Sequence, residues 1–177
     1  MNFPNAPRRT TPTFGFSMVN RSLIDGLSRR KFGKDEMREI ARYFFGDGPI
    51  ECVYCGDSDV RRWDHLVPVA EGGEAVLGNM VPACSRCDDS KGAAFFKDWM
   101  KGSARYSPTT QKVDGVRRKM NQIERYAAHY DYVATSVESR LTRRENAKLR
   151  LVRRQLKEVS AEAKALIASY ATRTGNS

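Results

Sequence analysis

Glu51-Cys52-Val53-Tyr54-Cys55 and Cys84-Ser85-Arg86-Cys87-Asp88-Asp89-Ser90-Lys91 decide the fold, because they hold all four cysteines of the chain as two Cys-x-x-Cys pairs. Two residues between paired cysteines let one tight turn aim both sulfurs at a single ion, and four thiolates make a tetrahedral zinc set. The competing reading is a pair of disulfides. Met1 to Pro12 is polar and basic and lacks the apolar core of a signal peptide, so a reducing compartment with free thiols is expected. One structural Zn²⁺ on Cys52, Cys55, Cys84 and Cys87 follows from that expectation. No apolar run reaches membrane-spanning length, so no membrane partner is expected, and a cytoplasmic, nucleic-acid-associated location is.

Between the two pairs lie Trp63-Asp64-His65-Leu66-Val67-Pro68, a loop of small and acidic residues from Val69 to Gly78, and Asn79-Met80-Val81-Pro82. With Asp64-His65, Asn79 after a Gly-containing loop, and Cys84-x-x-Cys87-Asp88-x-x-Lys91 in this order, the chain resembles the HNH endonuclease family from roughly Pro49 to Lys101. The resemblance implies a ββα-metal fold, in which a two-stranded hairpin and a helix hold one catalytic divalent ion. It makes His65 the general base that takes a proton from the attacking water and Asp64 a metal ligand. Asn79 becomes the residue that holds the His65 segment in place, and Asp88 the second protein ligand. The family usually has His or Asn at that last position. Aspartate is still a hard oxygen donor, which suits Mg²⁺ or Mn²⁺.

The residues support this chemistry by themselves. Asp64 and His65 are neighbours on a strand predicted over Arg61 to Val67, so they face opposite sides unless the strand bends or ends there, and Pro68 supplies an end. An imidazole titrates near neutral pH and suits activation of water. Lys91, one helical turn beyond Asp88, is expected on the same helix face, within reach of a phosphate. The bland readings are a partly buried strand histidine for His65, a turn residue for Asn79, and helix N-terminal acids for Asp88 and Asp89. The other histidine, His129, lies in a helical pattern and reads as structural.

The formal net charge of +10 points to a polyanion as partner. It is unevenly spread, with net +4 over residues 1–50, −2 over 51–110 and +8 over 111–177. An acidic module flanked by basic segments suits a site whose carboxylates hold a cation while the flanks hold the phosphate backbone.

Taken in order, Met1 to Thr13 reads as a mobile basic lead, Phe14 to Val19 as a short strand or anchor, and Asn20 to Leu27 as a brief helix. Ser28 to Lys31 is a basic patch. A helix is predicted from about Lys34 to Phe45, stopped by Gly46-Asp47-Gly48-Pro49, and another from Asp88 or Asp89 to Met100, ended by Gly102-Ser103. Apolar residues then recur in steps of three and four from Val113 to Leu141, and in a shifted phase from Leu149 to Tyr170. Thr142-Arg143-Arg144-Glu145 at the phase change matches a capping box. No Gly or Pro lies between Val116 and Ala171. A hairpin of two helices is preferred over a rod that pairs with a second subunit as a homodimer.

The sequence thus predicts an α+β protein. Residues 1–48 form a basic N-terminal segment with an amphipathic helix, 49–105 a zinc-stapled ββα-metal nuclease module, and 106–177 a basic helical extension. Arg143, Arg150, Arg154 and Lys157 fall along one side of the last helix, where they are expected to track the backbone of double-stranded DNA. The function read here is metal-dependent hydrolysis of DNA phosphodiester bonds. The alternatives are a zinc-stabilised DNA-binding or regulatory module without turnover, and an RNA-directed nuclease with the same residues.

Overall fold

Steps of three and four between Met37, Ile40, Ala41 and Phe44 give α2 (Lys34–Phe45) one apolar face, which buries Ile40 completely. The Gly33 N–H donates to Glu36 at its start, and Gly46 (φ 60°) ends it. In the computed structural model, which describes residues 11–27 and 32–175, the chain forms two compact units. One holds the described residues between Leu27 and Ser139, and the other joins residues 11–26 with residues 140–175. Most of the expected basic lead (residues 1–10) and the patch Ser28 to Lys31 lie outside the described residues.

The unit over Leu27–Ser139 is built on an antiparallel pair, β1 (Val60–His65) and β2 (Met80–Cys84), with Asp64 opposite Val81 and His65 opposite Met80. Every residue of β2 is buried. Pro82 is tolerated there because its missing N–H faces away from the single neighbouring strand, while its carbonyl accepts from Val53 N at 3.1 Å. The single helix expected after Cys87 is two, α3 (Ser85–Lys91) and α4 (Phe96–Lys101). Gly92, at φ 52°, turns the chain between them. The turn lets Phe96, Trp99 and Met100 bury over the sheet while α3 stays beside β1.

The helical run expected from Val113 to Leu141 is also interrupted. It forms α5 (Val116–His129), then a turn, then the short α6 (Val137–Arg140). Met120, Ile123 and Tyr126 of α5 join the core under the sheet, so the boundary expected near residues 106–110 falls inside this unit. The break has a tertiary cause. Tyr126 accepts from Gly78 N and donates to the Met80 carbonyl, both at 2.9 Å. Asp131, at φ 46°, then turns the chain so that the Tyr132 hydroxyl meets Glu74 N at 3.0 Å. Gly78 sits at φ 84°, where a Cβ would stand 2.6 Å from that of Tyr132. The 130–136 segment thereby clamps the loop between the strands, which a continued helix would leave uncovered. His129 lies among aromatic rings, 5.4 Å from Tyr43 and 4.7 Å from Tyr130, as a packing residue.

In the other unit, Phe14 to Gly26 belongs to one helix, α1 (Pro12–Gly26), in place of a short strand or anchor followed by a brief helix. Thr11 Oγ1 accepts from Phe14 N at its start. α1 packs along α7 (Arg143–Thr174), burying Ile24 and Leu149. The capping box is formed: Thr142 Oγ1 accepts from Glu145 N at 3.3 Å, and Thr142 N donates to Glu145 Oε2 at 2.8 Å. Thr142 Oγ1 also donates to Glu145 Oε2 at 2.7 Å, and this bond, with that from Thr142 N, holds the Glu145 carboxyl below its ordinary pKa. The partner of α7 within its unit is thus α1, and Val159, Leu166 and Tyr170 of its apolar series remain exposed. With a small sheet, a cysteine cluster and a long C-terminal helix, the protein is α+β.

Candidate functional site

The cysteine pairs arise from local geometry. In the first, Gly56 N donates to the Cys52 carbonyl and Cys52 N to the Asp57 carbonyl, both at 2.8 Å, and Gly56 takes φ 83° to close the knuckle. In the second, Cys84 ends β2 and caps α3, and Cys87 lies in the helix's first turn. The four sulfurs all lie within 4.8 Å of one another and none is in a disulfide. Cys55 and Cys84 Sγ are 3.7 Å apart. That matches the roughly 3.8 Å edge of a tetrahedron with bonds of about 2.3 Å to zinc. Hydrogen bonds from Cys55 and Cys87 pull the Cys52 thiol down to about 2, and Cys52 in return pushes Cys55 up to about 12 and Cys87 upward. The donor set fits structural zinc.

The hairpin between the knuckles carries the other candidates. Asp64 is 5% exposed, and both of its oxygens are engaged: Tyr54 Oη donates to Oδ2 at 2.6 Å and Lys91 Nζ to Oδ1 at 3.1 Å. Burial pushes the Asp64 pKa up, against the opposing pull of the Lys91 charge and the two hydrogen bonds. Burial likewise drives the Tyr54 phenol well above its usual value, reinforced by the Asp64 charge. Lys91 also donates to the His65 carbonyl at 2.7 Å. His65 is the last residue of β1 and is half-buried. Asn79 is fully buried, with Oδ1 accepting from Val67 N at 2.8 Å and Nδ2 donating to the carbonyls of Glu74 (2.9 Å) and Val67 (3.2 Å). It ties the chain just beyond His65 to the loop. Gly73 passes so close to the Val67 carbonyl there that a Cβ would collide with it.

Asp88 lies in the first turn of α3, and its charge is the smallest of the influences named for the raised Asp64 pKa. Arg62 Nη1 donates to Asp88 Oδ2 at 2.8 Å and to Asp89 Oδ1 at 2.5 Å. The structure therefore places Asp64 and His65 at the end of β1, Asn79 just before β2, and Asp88 in the first turn of α3. Lys91 departs from its expected place. Its side chain has no exposed surface and serves an internal ion pair, so in this arrangement it does not face a phosphate. Among the described residues the four cysteines are the one convergent group of three or more metal-ligating side chains.

Residues 52–94 match the family model described as HNH endonuclease. That stretch is similar to an HNH domain. No curated protein and no solved structure matches it. The match covers both knuckles, the hairpin and α3, and such a domain suggests a nuclease-type or nucleic-acid-related function. No described helix is long and apolar enough to cross a membrane.

Two residues that contact the candidate carboxylates escaped the sequence reading. Tyr54 reaches Asp64 from inside a zinc knuckle, which no local pattern signals. Arg62 had a signal, since it stands two residues before Asp64 and shares its strand face. Arg143, Arg150, Arg154 and Lys157 are all exposed on α7, and Arg154 lies 3.9 Å from Glu158.

The buried pair has a testable consequence. Removing one member of such a pair leaves an uncompensated charge, so Lys91→Ala is expected to lower stability by about 3–5 kcal/mol. Lys91→Ala with Asp64→Ala should recover part of that loss. A denaturant melt of the zinc-loaded single variant that matches the parent would show that the pair is not stabilising.

Proposed function

We propose that this chain is a metal-dependent HNH endonuclease that hydrolyses phosphodiester bonds in DNA. The observation that carries the reading is the HNH endonuclease match over residues 52–94, within which Asp64 and His65 end β1 and Asp88 lies in the first turn of α3. Carboxylates are hard oxygen donors and an imidazole is a base that titrates near neutral pH. Asp64 and Asp88 would hold Mg²⁺ or Mn²⁺, which when bound neutralises the scissile phosphate and the leaving oxygen. His65 takes the proton of the attacking water at its imidazole. Asn79 fixes the backbone just after it, so the ring is aimed before substrate arrives. Lys91 acts from below, holding the Asp64 carboxylate and the His65 carbonyl together. Arg143, Arg150, Arg154 and Lys157 contribute backbone contacts that do not read sequence.

A second reading, a zinc-stabilised DNA-binding or regulatory module without turnover, is favoured by one observation: both ligand carboxylates already have cationic protein partners, Asp64 in Lys91 and Asp88 in Arg62. Supercoiled plasmid separates the two. Zinc-loaded protein should convert it to nicked or linear form with added Mg²⁺ or Mn²⁺ and not in a metal-free control. Duplex binding without conversion under any divalent ion would leave the non-cleaving module. Faster cleavage of matched RNA would redirect the substrate.

A further inference from the structure

Arg62 and Asp64 stand two residues apart on β1 and both reach α3, Asp64 through Lys91 and Arg62 through Asp88 and Asp89. The two basic residues are not equivalent. Lys91 has no exposed side-chain surface and is also bonded to the His65 carbonyl, whereas the Arg62 side chain is 41% exposed. Nη1 makes both carboxylate bonds, and Nε and Nη2 have no protein partner among the described residues. Across this face three carboxylates, Asp64, Asp88 and Asp89, meet two fixed positive charges. A guanidinium in contact with Asp88 repels a dication approaching the same carboxylate. Of the two positive groups, Arg62 is the one that can leave.

We propose that Arg62 exchanges partners: it competes with the divalent cation for Asp88, and once displaced its guanidinium contacts a phosphate of the bound strand. This rests on the reading of Asp88 as a metal ligand. The planar fork of arginine suits both partners, since carboxylate and phosphate each accept paired N–H bonds. Its exposed side chain, on the strand face it shares with Asp64, leaves the released group beside the expected ligands. The competition also makes metal and DNA binding mutually supportive, because a cation at Asp88 frees the residue that meets the phosphate.

The test uses full-length, zinc-loaded protein. Mn²⁺ affinity is read from the free-ion electron paramagnetic resonance signal, and duplex affinity from fluorescence anisotropy with Ca²⁺ present. Arg62→Gln should bind Mn²⁺ roughly 3- to 10-fold more tightly, as expected for removal of one partly screened like charge. The same variant should bind duplex several-fold more weakly and cleave more slowly at saturating Mn²⁺. These opposite signs are not produced by general loss of structure, and Arg62→Met, which keeps the aliphatic stem, should repeat them. Equal or weaker Mn²⁺ binding in both variants would overturn the exchange, making Arg62 an orienting partner of Asp88. Unchanged duplex affinity would remove the phosphate contact. Asp88→Ala distinguishes the two levels: if it binds Mn²⁺ as the parent does, Asp88 is not a ligand, and the site assignment fails together with the exchange.

Discussion

Cys87→Ser is expected to leave the protein without stoichiometric zinc and without a folded hairpin. Cys87 belongs to α3 and Cys52 to the turn before β1, so the cluster ties both ends of the element that carries Asp64 and His65. The two-stranded sheet is too small to persist alone. Binding of structural zinc in small modules is worth about 10–16 kcal/mol, as large as the whole stability of a typical domain at about 5–15 kcal/mol. Cysteines 52, 84 and 87 are also part of the hydrophobic core, so loss of the ion would leave several buried thiols without the partner that draws them together. Metal analysis and circular dichroism of the variant check this. A cooperative melt at the parental temperature in protein with no bound zinc would show that the cluster is not structural.

His65→Ala is expected to abolish cleavage while leaving zinc content, melting temperature and duplex affinity close to those of the parent. A general base contributes roughly 10²- to 10⁴-fold, and nothing else at the hairpin end carries an imidazole to replace it. The side chain is half-buried and lies outside the hydrophobic core cluster, so its removal creates no core cavity. Asp88→Ala should be equally damaging in Mg²⁺, and Asp88→Asn milder, since an amide oxygen still coordinates. Single-turnover cleavage of a defined duplex reads all three. Parental rates for His65→Ala across the pH range would show that another group takes the proton.

What the sequence determined by itself is the part with chemistry in its spacing. Two Cys-x-x-Cys pairs can meet at one tetrahedral ion in few ways, and the cluster of Cys52, Cys55, Cys84 and Cys87 is in the structure. The amphipathic helix from Lys34 and the capping box at Thr142 were equally legible, because each depends on residues within a turn or two of one another. What only the tertiary structure decided depends on residues far apart in the chain. The run from Val113 to Leu141 has helical periodicity throughout, but the loop after β1 needs Tyr126 and Tyr132 to satisfy Gly78 and Glu74, and the helix breaks at Tyr130 to supply them. The helix expected across Lys91 likewise breaks at Gly92, so that Trp99 and Met100 can bury. Lys91 turned inward for the same kind of reason. Its spacing from Asp88 places it on the right helix face, but whether a lysine on that face meets solvent or a buried carboxylate depends on where β1 lies, and β1 lies where it brings Asp64 within 3.1 Å.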